Sequence, residues 1–387
     1  MQALAQGVIL VSSVALATIT GPSAYGGYAS FLAVSAVVAA VSTLRHDVLI
    51  SSAKDEREAL AVLGAHRRTL LLTTTTGLAL ASLMAMVGFS TVSDGAAAVL
   101  SAVGSTFVAI LSAFSLLKGR SGLAAVPRLF FGVTILPLQM LFLSAHLQGA
   151  IVWGHVLSQT LAAIVALFIF RRLRTDFSPP VAGYQAEFGR NLYVAAGLVN
   201  TLANNFPIPI ISAVLGDTWA GYFALSNRIL GAPLLLLGNS VSTALMPEFA
   251  RSRASSSRVY AASVALGLCF ALLMLLVHYC RIVEFLAPDW AGAVPVLITF
   301  VPVFATRLAA IPSVAAVAVA RDGKFLLGWE FFRLGALAAG ATIFASLPPI
   351  QWLRLLAAVW SFAYATLLVR GYLLLLRDHP PGHSAGS

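Results

Sequence analysis

Residues 190–253 read RNLYVAAGLVNTLANNFPIPIISAVLGDTWAGYFALSNRILGAPLLLLGNSVSTALMPEFARSR. Two apolar runs of about 25 residues flank a short turn at Gly216-Asp217-Thr218, and a helix crosses a bilayer in roughly 20 residues. Both runs carry groups that a lipid-facing helix avoids. The first holds Asn200, Asn204, Asn205, Pro207 and Pro209; the second holds Asn227, Arg228, Pro233 and Asn239. At membrane depth, polar groups and helix breakers are tolerated where they face protein or a water-filled cavity. The stretch therefore reads as two helices lining a path through a membrane.

The rest of the chain has the composition this requires. Apolar residues make up 59% and charged residues 10%, with a mean hydropathy of +0.91; a soluble domain carries about 25% charged residues. The formal charge of +10 lies in short loops between apolar runs, as topology signals do, which argues against a nucleic-acid partner. Cys269 and Cys280 lie eleven apart in one apolar run, a spacing that neither bridges nor ligates a metal, so no cofactor is expected. Residues 1–20 lack a basic leader and run directly into GPSAYGGYAS, so no cleaved signal is expected there.

About twelve candidate spans follow: 3–20, 25–44, 69–90, 95–117, 126–147, 150–170, 190–214, 220–245, 259–280, 291–319, 325–346 and 352–376. The loops after even-numbered spans are basic, for example Arg45, Lys54, Arg57, Arg67 and Arg68 after the second and Arg171, Arg172 and Arg174 after the sixth. The loops after spans 1, 3, 5 and 7 hold no Lys or Arg. This alternation predicts both termini in the cytoplasm. The polar segment 171–189, with Pro179-Pro180 at its centre, divides six spans from six. It predicts a linker between lobes 1–170 and 190–376, followed by a cytoplasmic tail, 377–387. Gly21-Pro22-Ser23-Ala24-Tyr25-Gly26-Gly27-Tyr28-Ala29 and Gly216-Asp217-Thr218-Trp219-Ala220-Gly221-Tyr222-Phe223-Ala224 occupy matching places 195 residues apart. An even number of spans between them makes the halves parallel repeats.

In order, GPSAYGGYA, TLRHDVLISSAKDEREALAVL, GDTWAGYFALSNRILGAP, FLAPDWAGAVPVLITFVP and VAVARDGKF resemble the polysaccharide-exporter or O-antigen flippase branch of the multidrug/oligosaccharidyl-lipid/polysaccharide exporter superfamily. The Gly-Pro…Tyr-Gly-x-Tyr turn is similar to that family's opening. Arg45-His46-Asp47 is similar to its Arg-aromatic-acid pattern, with His in the aromatic place. Gly221-Tyr222-Phe223-Ala224 with Arg228 and Pro233 is similar to its eighth helix. The likeness runs from about residue 15 to 345 and lies in the order and spacing of the motifs. It implies an all-α membrane protein of about twelve transmembrane helices in two six-helix lobes around a central cavity.

Neither a phosphate loop, a metal cluster nor a serine-nucleophile motif is present in the sequence, and the chain is not expected to be an enzyme. Intramembrane charge is the informative feature. Arg228, Arg307 and Arg333 fall inside spans 8, 10 and 11, and an arginine at the bilayer centre costs at least about 2.5–3.5 kcal/mol unless it is paired or hydrated. Arg333 either pairs with Glu330 one turn earlier or faces a substrate. Arg228 either reaches toward the outer interface or lines the path. Arg307 has no acid near it on its own helix. A cationic cavity suits the diphosphate of a lipid-linked sugar. Asn200, Asn204, Asn205, Asn227 and Asn239 suit either sugar hydroxyls or helix-to-helix bonds. Pro207 and Pro209 mark a hinge. Gln139, His155 and Gln159 read as hydrogen-bonded core.

The function implied is export of a polyprenyl-diphosphate-linked oligosaccharide across the cytoplasmic (inner) membrane for cell-surface polysaccharide such as the O-antigen of lipopolysaccharide. Membrane lipids and other polysaccharide-assembly proteins are its expected partners. A cation-coupled multidrug exporter of the same superfamily is the rival; such exporters resemble this fold but use a buried acid in helix 1 or helix 7, and neither span here has one. A non-transporting partner of a polysaccharide synthase is the third reading.

Overall fold

The computed structural model describes residues 2–43, 50, 75, 92–147, 149–173, 188–231, 234, 256–279, 288–319, 322–343 and 346–377. Among these residues every regular element is helical, as hydrocarbon requires: a peptide group there must find its hydrogen bond within the chain. In order the helices are α1 (Gln2–Thr43), α2 (Val92–Leu117), α3 (Ser121–Ser144), α4 (Ala150–Leu173), α5 (Phe188–Asn205), α6 (Pro207–Leu215), α7 (residues 217–231), α8 (Ser256–Tyr279), α9 (Ala293–Ala309), α10 (Ile311–Val319), α11 (Gly323–Ile343) and α12 (Pro349–Arg377). Eight helices among the described residues are long and apolar enough to cross a membrane, or nine with α9 and α10 taken as one bent span. The expected span 69–90, apart from residue 75, and half of 220–245 lie outside the described residues.

The first helix holds two of the expected crossings. Its apolar part, Leu4–Thr43, is 40 residues long, twice what a bilayer needs. Helical geometry breaks at Gly21, with φ 75° and ψ 169°. Ser13 and Tyr25 are hydrogen-bonded through their hydroxyls at 2.9 Å, although twelve residues of straight helix would hold them about 18 Å apart. The two limbs therefore fold back on each other at Gly21. Gly216, at φ 93°, likewise stands between α6 and α7. Side chains other than glycine are strained at these angles, which is why the turn in each half starts on glycine.

The repeat extends to packing. Tyr25, Gly26, Tyr28 and Ala29 are buried while Gly27 is exposed; Ala220, Gly221, Phe223 and Ala224 are buried while Tyr222 is half-buried. The same inward face follows each glycine turn, with Tyr28 at 4% exposure matched by Phe223 at 2%.

Two compact units emerge, 1–212 and 213–387. Most of the linker expected at 171–189 lies outside the described residues, and α5 packs against α1 within the first unit. In that unit α2, α3 and α4 pack on one another and on α1. Phe114 of α2 and Phe170 of α4 meet edge to face at 5.1 Å between ring centres. Gly154 of α4 lies so close to α3 that a Cβ would stand 2.7 Å from the Cα of Gln139. In the second unit α8, α9, α10 and α11 all contact α12. Leu268, Leu272 and Leu276 stand exposed along one side of α8. Their spacing of four puts them on one stripe, an apolar surface that suits a bilayer.

Two helices are interrupted where the sequence carries proline. The expected span 190–214 breaks at Phe206, between α5 and α6, directly before Pro207 and Pro209. The expected continuous span 291–319 is two helices bent by 44° at Ala310. Pro312 lacks the N–H that would bond the Leu308 carbonyl, which is the physical reason for the second break.

The glycine contacts rank two substitutions. Gly154→Ala drives a methyl into the α3 backbone and is expected to cost about 1–3 kcal/mol. Gly21→Ala meets no atom within 4 Å and is expected to cost only the left-handed strain of about 1–2 kcal/mol. Thermal unfolding of the purified variants in detergent compares the two.

Candidate functional site

Two arginines of the second unit, Arg307 and Arg333, converge on the aromatic faces of α11 and α12. On α11, Trp329, Glu330 and Arg333 all point inward, Glu330 and Arg333 each at 2% exposure. A spacing of four stacks Trp329 beneath Arg333, and a spacing of three brings Glu330 to the same guanidinium. Arg333 donates from Nη1 to Glu330 Oε2 at 2.8 Å. Its guanidinium lies 4.8 Å from the centre of the Trp329 ring, 5.0 Å from Tyr364 and 5.8 Å from Trp360. Trp360 and Tyr364 are themselves one turn apart on α12. Trp329 donates its indole N–H to the Ala363 carbonyl at 2.7 Å, which locks α11 against α12 and holds the box together.

Arg307 enters the same box from α9. It is half-buried, 5.7 Å from the centre of the Tyr364 ring and 6.0 Å from Phe304. Tyr364 is thus shared by two guanidinium groups. Arg307 lies in the last turn of α9, where the helix dipole favours a cation, and just before the bend at Ala310. Its charge also acts on Glu330, but among the described residues it has no hydrogen-bond or ion-pair partner. One buried carboxylate therefore faces two arginines, and it is hydrogen-bonded to Arg333. The surplus positive charge is the chemical property of the site: such a cluster attracts an anion.

Arg228 is on α7, half-buried, and makes no hydrogen bond among the described residues; Asn227 beside it is the same. No described contact brings Arg228 into the box. Gly231, one turn later on α7, approaches Phe304, with a distance of 3.5 Å from a built Cβ to the ring. The helix that carries Arg228 therefore reaches α9 one turn from Arg307. Asn204 donates its side-chain amide to the Asn200 side chain, and Asn205 to the Thr201 carbonyl at 2.8 Å. These three asparagines satisfy one another and their own helix. Asn239 and Pro233 lie outside the described residues. Pro207 is buried and Pro209 half-buried at the break after Phe206.

His155 is a fully bonded core residue. Its Nδ1 meets the Tyr28 hydroxyl at 2.9 Å and its Nε2 the Ser101 hydroxyl at 3.1 Å, while Tyr28, Phe31 and Phe131 pack edge-on around the ring. Gln139 donates to the Ile151 carbonyl at 3.0 Å, and Gln159 is buried.

Sequence reasoning missed the aromatic box and one ion pair. Arg370 of α12 donates to Asp322 Oδ2 at 2.6 Å, and Asp322 Oδ1 accepts from the Phe325 N–H at the start of α11. The i,i+4 pairs Trp329/Arg333 and Trp360/Tyr364 were the available signal for the box.

A family model described as "Polysaccharide biosynthesis protein" matches residues 15–275. No curated protein sequence matches the chain. Solved structures similar to it include an inward-facing multidrug resistance MATE family transporter of the MOP superfamily, at 16% identity, 97% of this chain and 95% of that one, TM-score 0.67. The MATE multidrug transporter DinF-BH matches at 14% identity, 97% and 92% coverage, TM-score 0.64. An outward-facing MATE family transporter matches at 12% identity, 97% and 94% coverage, TM-score 0.57. At these identities the likeness is one of fold.

The buried pair makes a direct prediction. Glu330→Ala leaves Arg333 buried beside Arg307 with no carboxylate and is expected to destabilise the protein by about 3–5 kcal/mol. The double variant Glu330→Ala/Arg333→Met, which removes both charges, is expected to recover most of the loss. Unfolding temperatures of the three proteins in detergent test this.

Proposed function

The chain belongs to the polysaccharide biosynthesis protein family, and from that membership we propose that it exports a lipid-linked oligosaccharide across the cytoplasmic membrane. It is a multi-pass, all-α membrane protein with the fold of MOP-superfamily transporters. The observation that carries the substrate reading is the surplus cation of the second unit. Arg307 and Arg228 are half-buried without hydrogen-bond partners among the described residues, while Glu330 is hydrogen-bonded to Arg333. A polyprenyl diphosphate supplies the missing negative charge, and guanidinium recognises its oxygens through forked, charge-assisted hydrogen bonds.

In this reading the diphosphate meets Arg307 first, with Arg228 following along the path and Arg333 setting the positive field behind. The sugar passes with the headgroup while the polyprenyl tail stays in the bilayer. Lobes 1–170 and 190–376, joined by 171–189, rock about a central cavity, and both termini, with the tail 377–387, face the cytoplasm. The break at Pro207 and Pro209 supplies a hinge. Asn227 and Asn239 contact sugar hydroxyls, whereas Asn200, Asn204 and Asn205 hold their own helix. Other polysaccharide-assembly proteins deliver the substrate and use the product, the O-antigen of lipopolysaccharide being one such polymer.

The multidrug reading has one observation in its favour, the fold shared with multidrug transporters. A cationic drug would meet like charge at Arg307, which weighs against it.

Arg307→Ala is expected to slow headgroup translocation in reconstituted vesicles at least about tenfold, the cost of one charge-assisted hydrogen bond. Arg307→Lys should retain part of it. Translocation of a labelled polyprenyl-diphosphate sugar is the measurement. Unchanged transport by Arg307→Ala at normal expression removes Arg307 from the mechanism, and gradient-driven efflux of a cationic dye in its place would support the rival.

A further inference from the structure

The second unit holds a cleft that the export path does not use. Its volume is about 550 Å³ and its walls come from α8, α9 and α12, with Ala291 just before α9. The walls are largely apolar, with Val294, Ile298 and Ala358 among them, and two bases line the cleft, His278 and Arg354; among the described residues no acid does. None of Arg228, Arg307 or Arg333 borders it.

The cleft lies where three helices end. His278 is the next-to-last residue of α8, two residues past the apolar span Val259–Leu276. Ala291 immediately precedes the start of α9, and Arg354 is five residues into α12, about 8 Å along its axis. His278 therefore sits at the boundary between the apolar layer and the headgroups, and Arg354, five residues inside the span Pro349–Leu374, is within side-chain reach of it, with the apolar walls running from there into the span. The walls also offer polar atoms. Ser361 lines the cleft, and its hydroxyl is buried without a hydrogen-bond partner among the described residues. Pro302 has no N–H, so the Ile298 carbonyl receives no helical bond from four residues on.

We propose that this cleft binds an anionic glycerophospholipid. Arg354 and His278 hold its phosphate, the Ile298 carbonyl and the Ser361 hydroxyl take a hydroxylated headgroup, and an acyl chain lies over Val294 and Ala358. The two bases select negative charge. Bound lipid would tie the ends of α8, α9 and α12 together at the membrane surface. The inference does not rest on the exported substrate, since the two sites share no residue.

Native mass spectrometry of the full-length protein in detergent tests it, with phosphatidylglycerol and phosphatidylcholine of equal chain length as probes. Wild type is expected to retain phosphatidylglycerol at least about fivefold better. Arg354→Ala should weaken that binding about tenfold and Arg354→Lys much less. Ala358→Trp fills the cleft with both bases intact and should abolish it. An unchanged unfolding temperature confirms that each variant is folded. Wild-type lipid retention in Arg354→Ala and Ala358→Trp would overturn the proposal. So would equal retention of phosphatidylcholine, or displacement of the lipid by an equal concentration of inorganic phosphate, which would mark a site for a soluble anion. Loss of binding in both variants with normal translocation upholds the lipid site, whatever the cargo proves to be.

Discussion

Hydrocarbon offers no hydrogen-bond partner to a peptide group, and that constraint shapes every element described above. It turns each apolar run into a helix and makes each interruption costly. The interruptions are few and each has a chemical cause: left-handed glycines at Gly21 and Gly216, prolines behind the breaks at Phe206 and Ala310. Around each break the chain recovers what it can. Ala310 donates to the Thr306 carbonyl at 2.9 Å and Ser313 to the Ala310 carbonyl at 3.0 Å, so the bend forfeits little of the ladder. A helix that can bend at small cost in unsatisfied backbone is what an alternating-access machine needs.

The same constraint governs charge. A guanidinium in the span needs a carboxylate, an aromatic face or water. Arg333 has the first two, stacked among Trp329, Trp360 and Tyr364 and bonded to Glu330. Among the described residues Arg307 has aromatic faces and the carbonyl end of its helix and no carboxylate bonded to it. The two arginines of one cluster thus differ in partners. Arg333 helps to build the packing of α11 on α12, and the hydrogen-bonding capacity of Arg307 is not taken up by the described residues. In the first unit Tyr28, His155, Ser101 and Ser35 form a chain of buried side-chain hydrogen bonds.

Much of this was legible in the sequence, because helix-forming runs and their punctuation are local. The spans at 95–117 and 150–170 agree with their helices within three residues at each end. The glycine turns 195 residues apart proved to share a positive φ and a burial pattern. The Glu330–Arg333 pair was visible as a three-residue spacing, and His155 as a core histidine. What the sequence concealed is non-local. Nothing in α5 announces that it packs on α1. Pro312 stood in plain view, yet only the fold shows that the helix bends by 44° there. The box around Arg333 required knowing that α9, α11 and α12 meet. Periodicity on one helix cannot report the face of another.

The bend after Arg307 has a mechanical meaning. The nine residues of α10 form an arm about 13 Å long beyond the pivot at Ala310. A ten-degree change in the angle would swing the far end of that arm by about 2 Å, a displacement comparable to the helix shifts by which proteins switch between states. The pivot stands three residues from the Arg307 guanidinium. A change of angle at Ala310 would therefore begin within one turn of helix of that charge. The geometry is that of a lever, with a short distance at the fulcrum and a longer stroke at the opposite tip.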